Sequence, residues 1–578
     1  MTSRKPHFLL AATLAVAAPM PAALAAAQNA GRVEIDAADY PNAKCNDGTQ
    51  AVYYLRGAGP AGEVVGRKWL IFLHGGGSCT SDEACAERWY DPSAGSDGVI
   101  GFHGNMTTSA DPTKNFNGEG LLDFDGVDNS GGKPPGGPNP FIGFNRIMVP
   151  YCSSDTYAGR NTTSRPVNYA AYVGTQVSIG TRTTTITNPA GFPPLTGIRF
   201  SGGFIVDAVV DLVLNGGVQS GKKTRGASDP VVVPPSSAED EIVLSGSSAG
   251  GGGVIRNLDR VAQQVRTAAP AVKFFGIVDA SNDVGIVPDA SITGDANLPS
   301  AQFWGAAAEA DLDQSCVARH AIATSRRCYN SAVVLRNFIE TPHFVIQNAY
   351  DQVTHAGQVQ FFKDQLVAQS VDATTAEGIA AQYVRNRITL GARELGGGVA
   401  DAQKVGWFIP NYAEPHHQLA VEDVWFFNSP ALAYGGQAPR LSSDLASTLG
   451  LPQSLACYRF KVTGQGSCLN AGDAKVANTT YPSNPLSASF DEATSTLTLP
   501  FVRLSSGASF KNVSVALGPM GRVVVGDPAV GSFPAVNEYL PATNVLKLPS
   551  VTVGDRVYLQ VSVSGAGLRV LAYEVVQP

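Results

Sequence analysis

One segment, EIVLSGSSAGGGGVI at residues 241 to 255, constrains the fold of this chain more than any other. Apolar residues run straight into a knot of Ser and Gly, and an amphipathic stretch, VIRNLDRVAQQVRTA at 254 to 268, follows at once. Strand, tight turn and helix in that order leave room only for small side chains at the turn. Gly246-Ser247-Ser248-Ala249-Gly250 fits the pattern G-x-S-x-G. In this setting the pattern reads as a nucleophile elbow, which lifts one serine Oγ above the end of a sheet. The helix N-terminus beside it favours developing negative charge. Taken alone, GSSAGGGG also fits a flexible Gly-rich turn or a phosphate loop, but the G-K-[ST] of a P-loop is absent.

The surrounding segments agree with the elbow. KWLIFLHGGG (68–77), FNRIMVPYC (144–152), DEIVLSG (240–246), VKFFGIVDAS (272–281) and HFVIQNAYD (343–351) are apolar runs. GGFIVDAVVDLVLNGG (202–217) has apolar residues at helical spacing and a Gly stop. Solid apolar strands alternating with helices predict a mostly parallel sheet with helices on both faces, an α/β-hydrolase-like core. Residues 155–200 and 216–239 read as insertions rich in turn formers, as does 119–139. DFDGVDN within the last misses the EF-hand spacing and reads as an acidic turn.

A serine needs a base to take its proton, and the base needs an orienting acid. Asp351 ends a strand-like run, and His416 and His417 follow the apolar VGWFI in a loop. The order Ser248, Asp351, His416 is that of the α/β-hydrolase class. His416 is the preferred base and His417 its rival. His74-Gly75-Gly76-Gly77 follows an early strand, where glycine N–H groups can face an oxyanion, with the Ala249 N–H as the second element.

The N-terminus has Arg4 and Lys5, then FLLAATLAVAAPMPAALA, then Ala-rich sequence to Ala27. This predicts a signal peptide over 1–27, and a secreted or periplasmic protein. No later stretch reaches about 18 uninterrupted apolar residues, so no membrane span is expected in the mature chain. The eight cysteines suit export. Cys79 and Cys85, Cys316 and Cys328, and Cys457 and Cys468 lie 6, 12 and 11 positions apart. Local pairing is the simplest reading and leaves Cys45 with Cys152, although spacing does not prove connectivity. A zinc site is the rival, without C-x-x-C or finger-spaced His to support it. The net charge of −7 and the lack of a basic stripe argue against nucleic acid.

After residue 450 the texture changes. ATSTLTLPFVRL (493–504) and ATNVLKLPSVTV (542–553) share a pattern 49 residues apart and alternate with period two. The domain expectation is a catalytic domain over 28–450 and a β-rich module with a two-copy repeat over 451–578.

The quoted segments resemble the pectin acetylesterase/Notum carboxylesterase family. The likeness is carried by KCNDGTQAVYYLR (44–56), WLIFLHGGGSCTSDEACAERW (69–89), NPFIGFNRIMVPYCSSDTYAG (139–159), LSGSSAGG, NAYDQ and the stretch 408–418. The resemblance implies Ser248 as nucleophile, Asp351 as acid, His416 as base, and an oxyanion hole from Gly76, Gly77 and Ala249. It implies Cys45–Cys152 and Cys79–Cys85 disulfides, no metal and no organic cofactor. Departures are His74 for a usual Glu, Ser78 for a usual Trp, Ser247 for a frequent Cys, and one extra residue before the histidines. The expected activity is removal of short acyl groups, acetyl first, from a polysaccharide such as pectin. Alternatives are other polymer or lipid esters, an amidase or peptidase with the same triad, or a non-catalytic carbohydrate-binding or adhesion protein. The oligomeric state is open.

Overall fold

The computed structural model describes residues 31–575 apart from 60–61, 92–102, 109–118, 124–138, 180–181, 224–231, 282–302, 305–311, 389–404, 411–415, 436–450, 465–487, 492, 518–521, 526–535, 554–555, 565–567 and scattered positions from 320 to 430. The signal-peptide expectation over 1–27, most of the DFDGVDN turn, and Cys468 lie outside the described residues.

Among the described residues, nine strands form one sheet. They are β1 (Gly31–Glu34), β2 (Val52–Arg56), β3 (Lys68–Leu73), β4 (Asn145–Val149), β5 (Glu241–Ser247), β6 (Lys273–Asp279), β7 (His343–Ile346), β8 (Val405–Pro410) and β9 (Ala431–Gly435). Their spatial order is β1-β2-β4-β3-β5-β6-β7-β8-β9. Strands β4, β3, β5, β6, β7 and β8 are mutually parallel. Strands β1, β2 and β9 pair antiparallel at the edges. With the elbow after β5, this is an α/β-hydrolase-like sheet.

Alternation of side chains along each strand feeds two apolar layers. On one side Trp69, Ile71, Leu73, Ile242 and Leu244 pack with α2 (Gly202–Asn215) and α3 (Ala249–Ala268) through Val206, Val209, Leu258 and Val261. On the other, Leu70, Phe72, Val243, Phe275 and Phe344 pack with α6 (Leu451–Thr463) through Leu451, Leu455 and Tyr458. The remaining labelled helices are α1 (Asp82–Tyr90), α4 (Gln314–Arg319) and α5 (Ala356–Val367). Helix α2 ends at Gly216, whose φ of 80° needs no Cβ, as the Gly stop predicts.

Helix α6 corrects the expected boundary at 450. Residues 451–463 are helical and cover the sheet rather than opening a β module. Arg459 pins the helix by donating from Nε and Nη2 to Glu241 at 2.8 and 2.6 Å.

The β-rich region begins later, with β10 (Ala488–Asp491), and continues through β11 (Thr496–Leu504), β12 (Ser509–Leu517), β13 (Arg522–Val525), β14 (Glu538–Leu540), β15 (Val545–Val553), β16 (Arg556–Ser564) and β17 (Leu568–Val575). They form a separate sheet in the order β13-β16-β15-β10-β11-β12-β17, with β14 bridging β11 and β15. The two copies of the repeated pattern are β11 and β15. Each is entered from a left-handed residue at the same place in the pattern, Ser495 at φ 52° and Asn544 at φ 51°. Each short strand makes a hairpin with its own long strand and runs parallel to the other copy's, β10 with β15 and β14 with β11.

Disulfides join Cys45 to Cys152, Cys79 to Cys85 and Cys316 to Cys328. Cys457 is disulfide-bonded as well. No helix among the described residues is long and apolar enough to cross a membrane.

Candidate active site

Ser248 sits between β5 and α3 with φ 56° and ψ −125°, a conformation that side-chain-bearing residues rarely adopt. Close backbone crossings hold it there. A Cβ on Gly250 would lie 1.9 Å from the Leu73 carbonyl oxygen, so β3 and α3 meet only because that position is Gly. The Ser248 N–H donates to the Asp279 carbonyl oxygen at 3.0 Å. The Ser281 hydroxyl donates to the Ser248 carbonyl oxygen.

His417 reaches the serine. Its Nε2 lies 2.8 Å from Ser248 Oγ, and its Nδ1 lies 2.8 and 2.9 Å from the two carboxylate oxygens of Asp351. Asp351 is almost wholly buried just beyond β7. Its carboxylate accepts from Gln347 Nε2 at 3.0 Å and from the N–H groups of Val353 and Thr354 at 2.9 and 2.8 Å. Burial pushes its pKa up, but the His417 hydrogen bond and charge outweigh this and hold it below the ordinary value. With Nδ1–H directed at Asp351, Nε2 is the nitrogen left to accept the serine proton.

The preferred histidine of the sequence reading, His416, is not the one beside Ser248. Its Nε2 lies 2.6 Å from the Gln418 carbonyl oxygen, and its own carbonyl accepts from Asn348 Nδ2 at 2.9 Å. Burial lowers its pKa, so His416 favours the neutral form. The rival, His417, is the one in contact.

The glycine loop lies against the elbow. A Cβ on Gly75 would fall 2.7 Å from Ser248 Cβ. Gly76 and Gly77 take φ values of 142° and 69°, both in the region that favours Gly. A second strained loop supports this one from below. Ser154, Thr156 and Tyr157 all have positive φ. Tyr157 Oη lies 3.1 and 3.0 Å from the carbonyl oxygens of His74 and Val149, which share its one hydrogen, and the Cys79 N–H donates to the Ser154 carbonyl at 3.1 Å.

A family model described as Pectinacetylesterase matches residues 25–179 and 236–438, more than half of the chain. The chain belongs to the pectinacetylesterase family. Among curated relatives, Xenopus laevis palmitoleoyl-protein carboxylesterase notum2 is 36% identical over 117 residues, 20% of this chain and 18% of that protein. Human palmitoleoyl-protein carboxylesterase NOTUM is 29% identical over 238 residues, 41% of this chain and 33% of its own length. The chain thus spans a third or less of these two relatives. A structure of the Wnt deacylase Notum from Drosophila aligns with a TM-score of 0.48 at 20% identity, covering 76% of this chain and 95% of that one.

Within this family member, Ser78 is exposed at the end of the glycine loop. The next residue, Cys79, packs in an apolar cluster with Cys85, Trp89 and Trp304, and its carbonyl accepts from Trp304 Nε1 at 2.7 Å. Ser247 donates to Asp279 Oδ2 at 2.7 Å.

Several site residues escaped the sequence reading. Gln347 and Asn348 brace Asp351 and the histidine loop from the end of β7. Their position in IQNAYD, just ahead of the acid, is the signal that could have found them. Thr354 Oγ1 donates to the Ala280 carbonyl at 3.0 Å and ties the acid loop to the end of β6.

Proposed function

We propose that the protein is an exported serine carboxylesterase that removes short acyl groups, acetyl first, from a polysaccharide such as pectin. The observation that carries this reading is His417 held between Ser248 Oγ and the Asp351 carboxylate at hydrogen-bond distance on both sides. His417 Nε2 takes the Ser248 proton as Oγ attacks the ester carbonyl. The backbone N–H groups of Gly76, Gly77 and Ala249 receive the oxyanion. The imidazolium returns the proton to the departing alcohol oxygen. Water, deprotonated by the same nitrogen, then cleaves the acyl-enzyme and releases the acid. Membership of the pectinacetylesterase family supports acyl-ester chemistry on a carbohydrate. The relatives named palmitoleoyl-protein carboxylesterases support the same bond type with a longer acyl chain. Export is supported by the basic-then-apolar N-terminus and by disulfides, which persist in oxidising compartments.

The test is a panel of acetylated pectin, acetylated xylan and p-nitrophenyl esters of rising chain length, run with the wild type and Ser248→Ala. Acetate release from pectin that vanishes in Ser248→Ala is the expected result. Wild-type turnover by Ser248→Ala overturns the nucleophile, and turnover confined to long-chain esters overturns the acetyl assignment.

A further inference from the structure

We propose that Asp279 is a positioning residue: its buried carboxylate clamps the nucleophile elbow to the histidine loop and thereby sets the His417–Ser248 contact. The inference rests on the esterase reading above. Asp279 ends β6, is fully buried, and is not part of the triad. Three donors from two separate segments converge on it. Ser247 Oγ donates from the elbow at 2.7 Å. The N–H groups of Leu419 and Ala420 donate from the histidine loop, each at 3.2 Å to Oδ2. The residues so held are the immediate neighbour of Ser248 on one side and the residues two and three beyond His417 on the other.

The backbone around Asp279 extends the same junction. Its carbonyl accepts the Ser248 N–H, Ser281 holds the Ser248 carbonyl, and the Ala280 carbonyl accepts from Thr354 in the acid loop. One turn at the end of β6 therefore touches the segments that carry all three triad residues. Ala280 adopts φ 53° in that turn, a left-handed conformation that costs an alanine free energy.

All three donors have a hydrogen to give, so the ionised carboxylate is the species that fits them. The Leu419 N–H also lies 3.4 Å from Oδ1, so a proton on that oxygen would face a donor. Burial outweighs the lowering effect of Ser247, Ala420 and the His417 charge, and lifts this carboxyl from 3.8 to about 7. A chain that keeps so costly a group has a use for its acceptors. An amide at 279 offers one oxygen in place of two, and an alanine leaves the Leu419 and Ala420 N–H groups without a partner inside the protein.

The test measures kcat and KM per active site, counted by exhaustive fluorophosphonate labelling, for the wild type, Asp279→Asn, Ser247→Cys and Ser247→Ala, and turnover per mole of protein for Ser248→Ala, which has no serine to label. Displacing a catalytic pair by about 1 Å costs about 100-fold in rate, so Asp279→Asn is expected to lose about 100-fold in kcat with KM unchanged. The Ser247 series is expected to fall in the order Ser, Cys, Ala as the donor weakens, and it carries the test should Asp279→Asn not fold. A merely structural role would lower the melting temperature and the labelled fraction but leave kcat per labelled site at the wild-type value. That result, or a loss confined to KM, or equal kcat across the Ser247 series, overturns the proposal. Ser248→Ala separates the two readings. If it is inactive while Asp279→Asn is normal, only the clamp fails; if it remains active, the esterase reading fails with it.

Discussion

His416 and His417 are adjacent but engage different partners: His417 Nε2 lies 2.8 Å from Ser248 Oγ, and His416 Nε2 lies 2.6 Å from the Gln418 carbonyl. The first geometry suits proton transfer and the second staples a loop. His417→Ala is expected to lower kcat by roughly 10²- to 10⁴-fold, the range for loss of a general base. His416→Ala removes one hydrogen bond of about 1 kcal/mol and is expected to keep most of the activity with a lower melting temperature. Steady-state kinetics on p-nitrophenyl acetate decide between them, and equal losses in the two variants would refute the assignment.

Glu241 is buried at the start of β5 between Arg459 and Lys68, whose Nζ lies 2.6 Å away. Burial raises its pKa, but the two cations overcome this and bring it below the ordinary value. Arg459→Met removes one of the two cationic partners and leaves Lys68 alone to compensate the buried charge, so the cost is expected to stay below the roughly 3 to 5 kcal/mol of a fully uncompensated charge. A depressed carboxyl contributes stability above its unfolded pKa and loses it as pH falls through the folded value. The deficit of Arg459→Met in urea unfolding is therefore expected to be full near neutral pH and to shrink as acid protonates Glu241. A deficit independent of pH would mean that packing by the arginine stem, not charge, holds α6 to the sheet.

The three described disulfides separate stability from activity. Cys45–Cys152 closes a loop of 107 positions and Cys79–Cys85 one of 6. In the chain-entropy account the first contributes about 4 to 5 kcal/mol and the second about 2 kcal/mol. Cys79–Cys85, however, borders the glycine loop. Replacing Cys45 and Cys152 by Ser is expected to cost more in melting temperature, and replacing Cys79 and Cys85 more in kcat. The reverse ranking would show that the glycine loop is held without its disulfide.

Much of this architecture was legible because burial on both faces makes a parallel strand apolar throughout. The β5 elbow stood out for the same reason, since a solid apolar run followed at once by small residues and an amphipathic helix has few other solutions. The choice between His416 and His417 was not legible. It depends on the path of a loop pinned by Asn348 and Asp279, and both pins are distant in sequence. Asp279 itself reads as an ordinary turn former at a strand end. Helix α6 has its own signal in the sequence: Pro452 stands in its first turn, and Leu451, Leu455 and Tyr458 fall at helical spacing. The first strand of the β-rich region, at Ala488, comes well after that helix.

Asp155 offers the sharpest pH test. It is fully buried in the strained loop beneath the glycine loop and accepts from the Ser153 hydroxyl and the N–H groups of Tyr157, Gly159 and Gly202. Burial nevertheless prevails and lifts its pKa from 3.8 to about 6. A raised carboxyl binds its proton more tightly in the folded state, so its stabilising effect is complete below pH 4 and is lost as pH rises through about 6. Asp155→Asn cannot titrate. Its deficit relative to the wild type is therefore expected to be largest below about pH 4 and to shrink by roughly 3 kcal/mol by neutral pH, about two pKa units at about 1.4 kcal/mol each. Urea unfolding of both proteins from pH 4 to pH 8 measures this. A deficit that grows with pH would show that Asp155 is ionised across the range and that its four donors, not its burial, set its proton affinity.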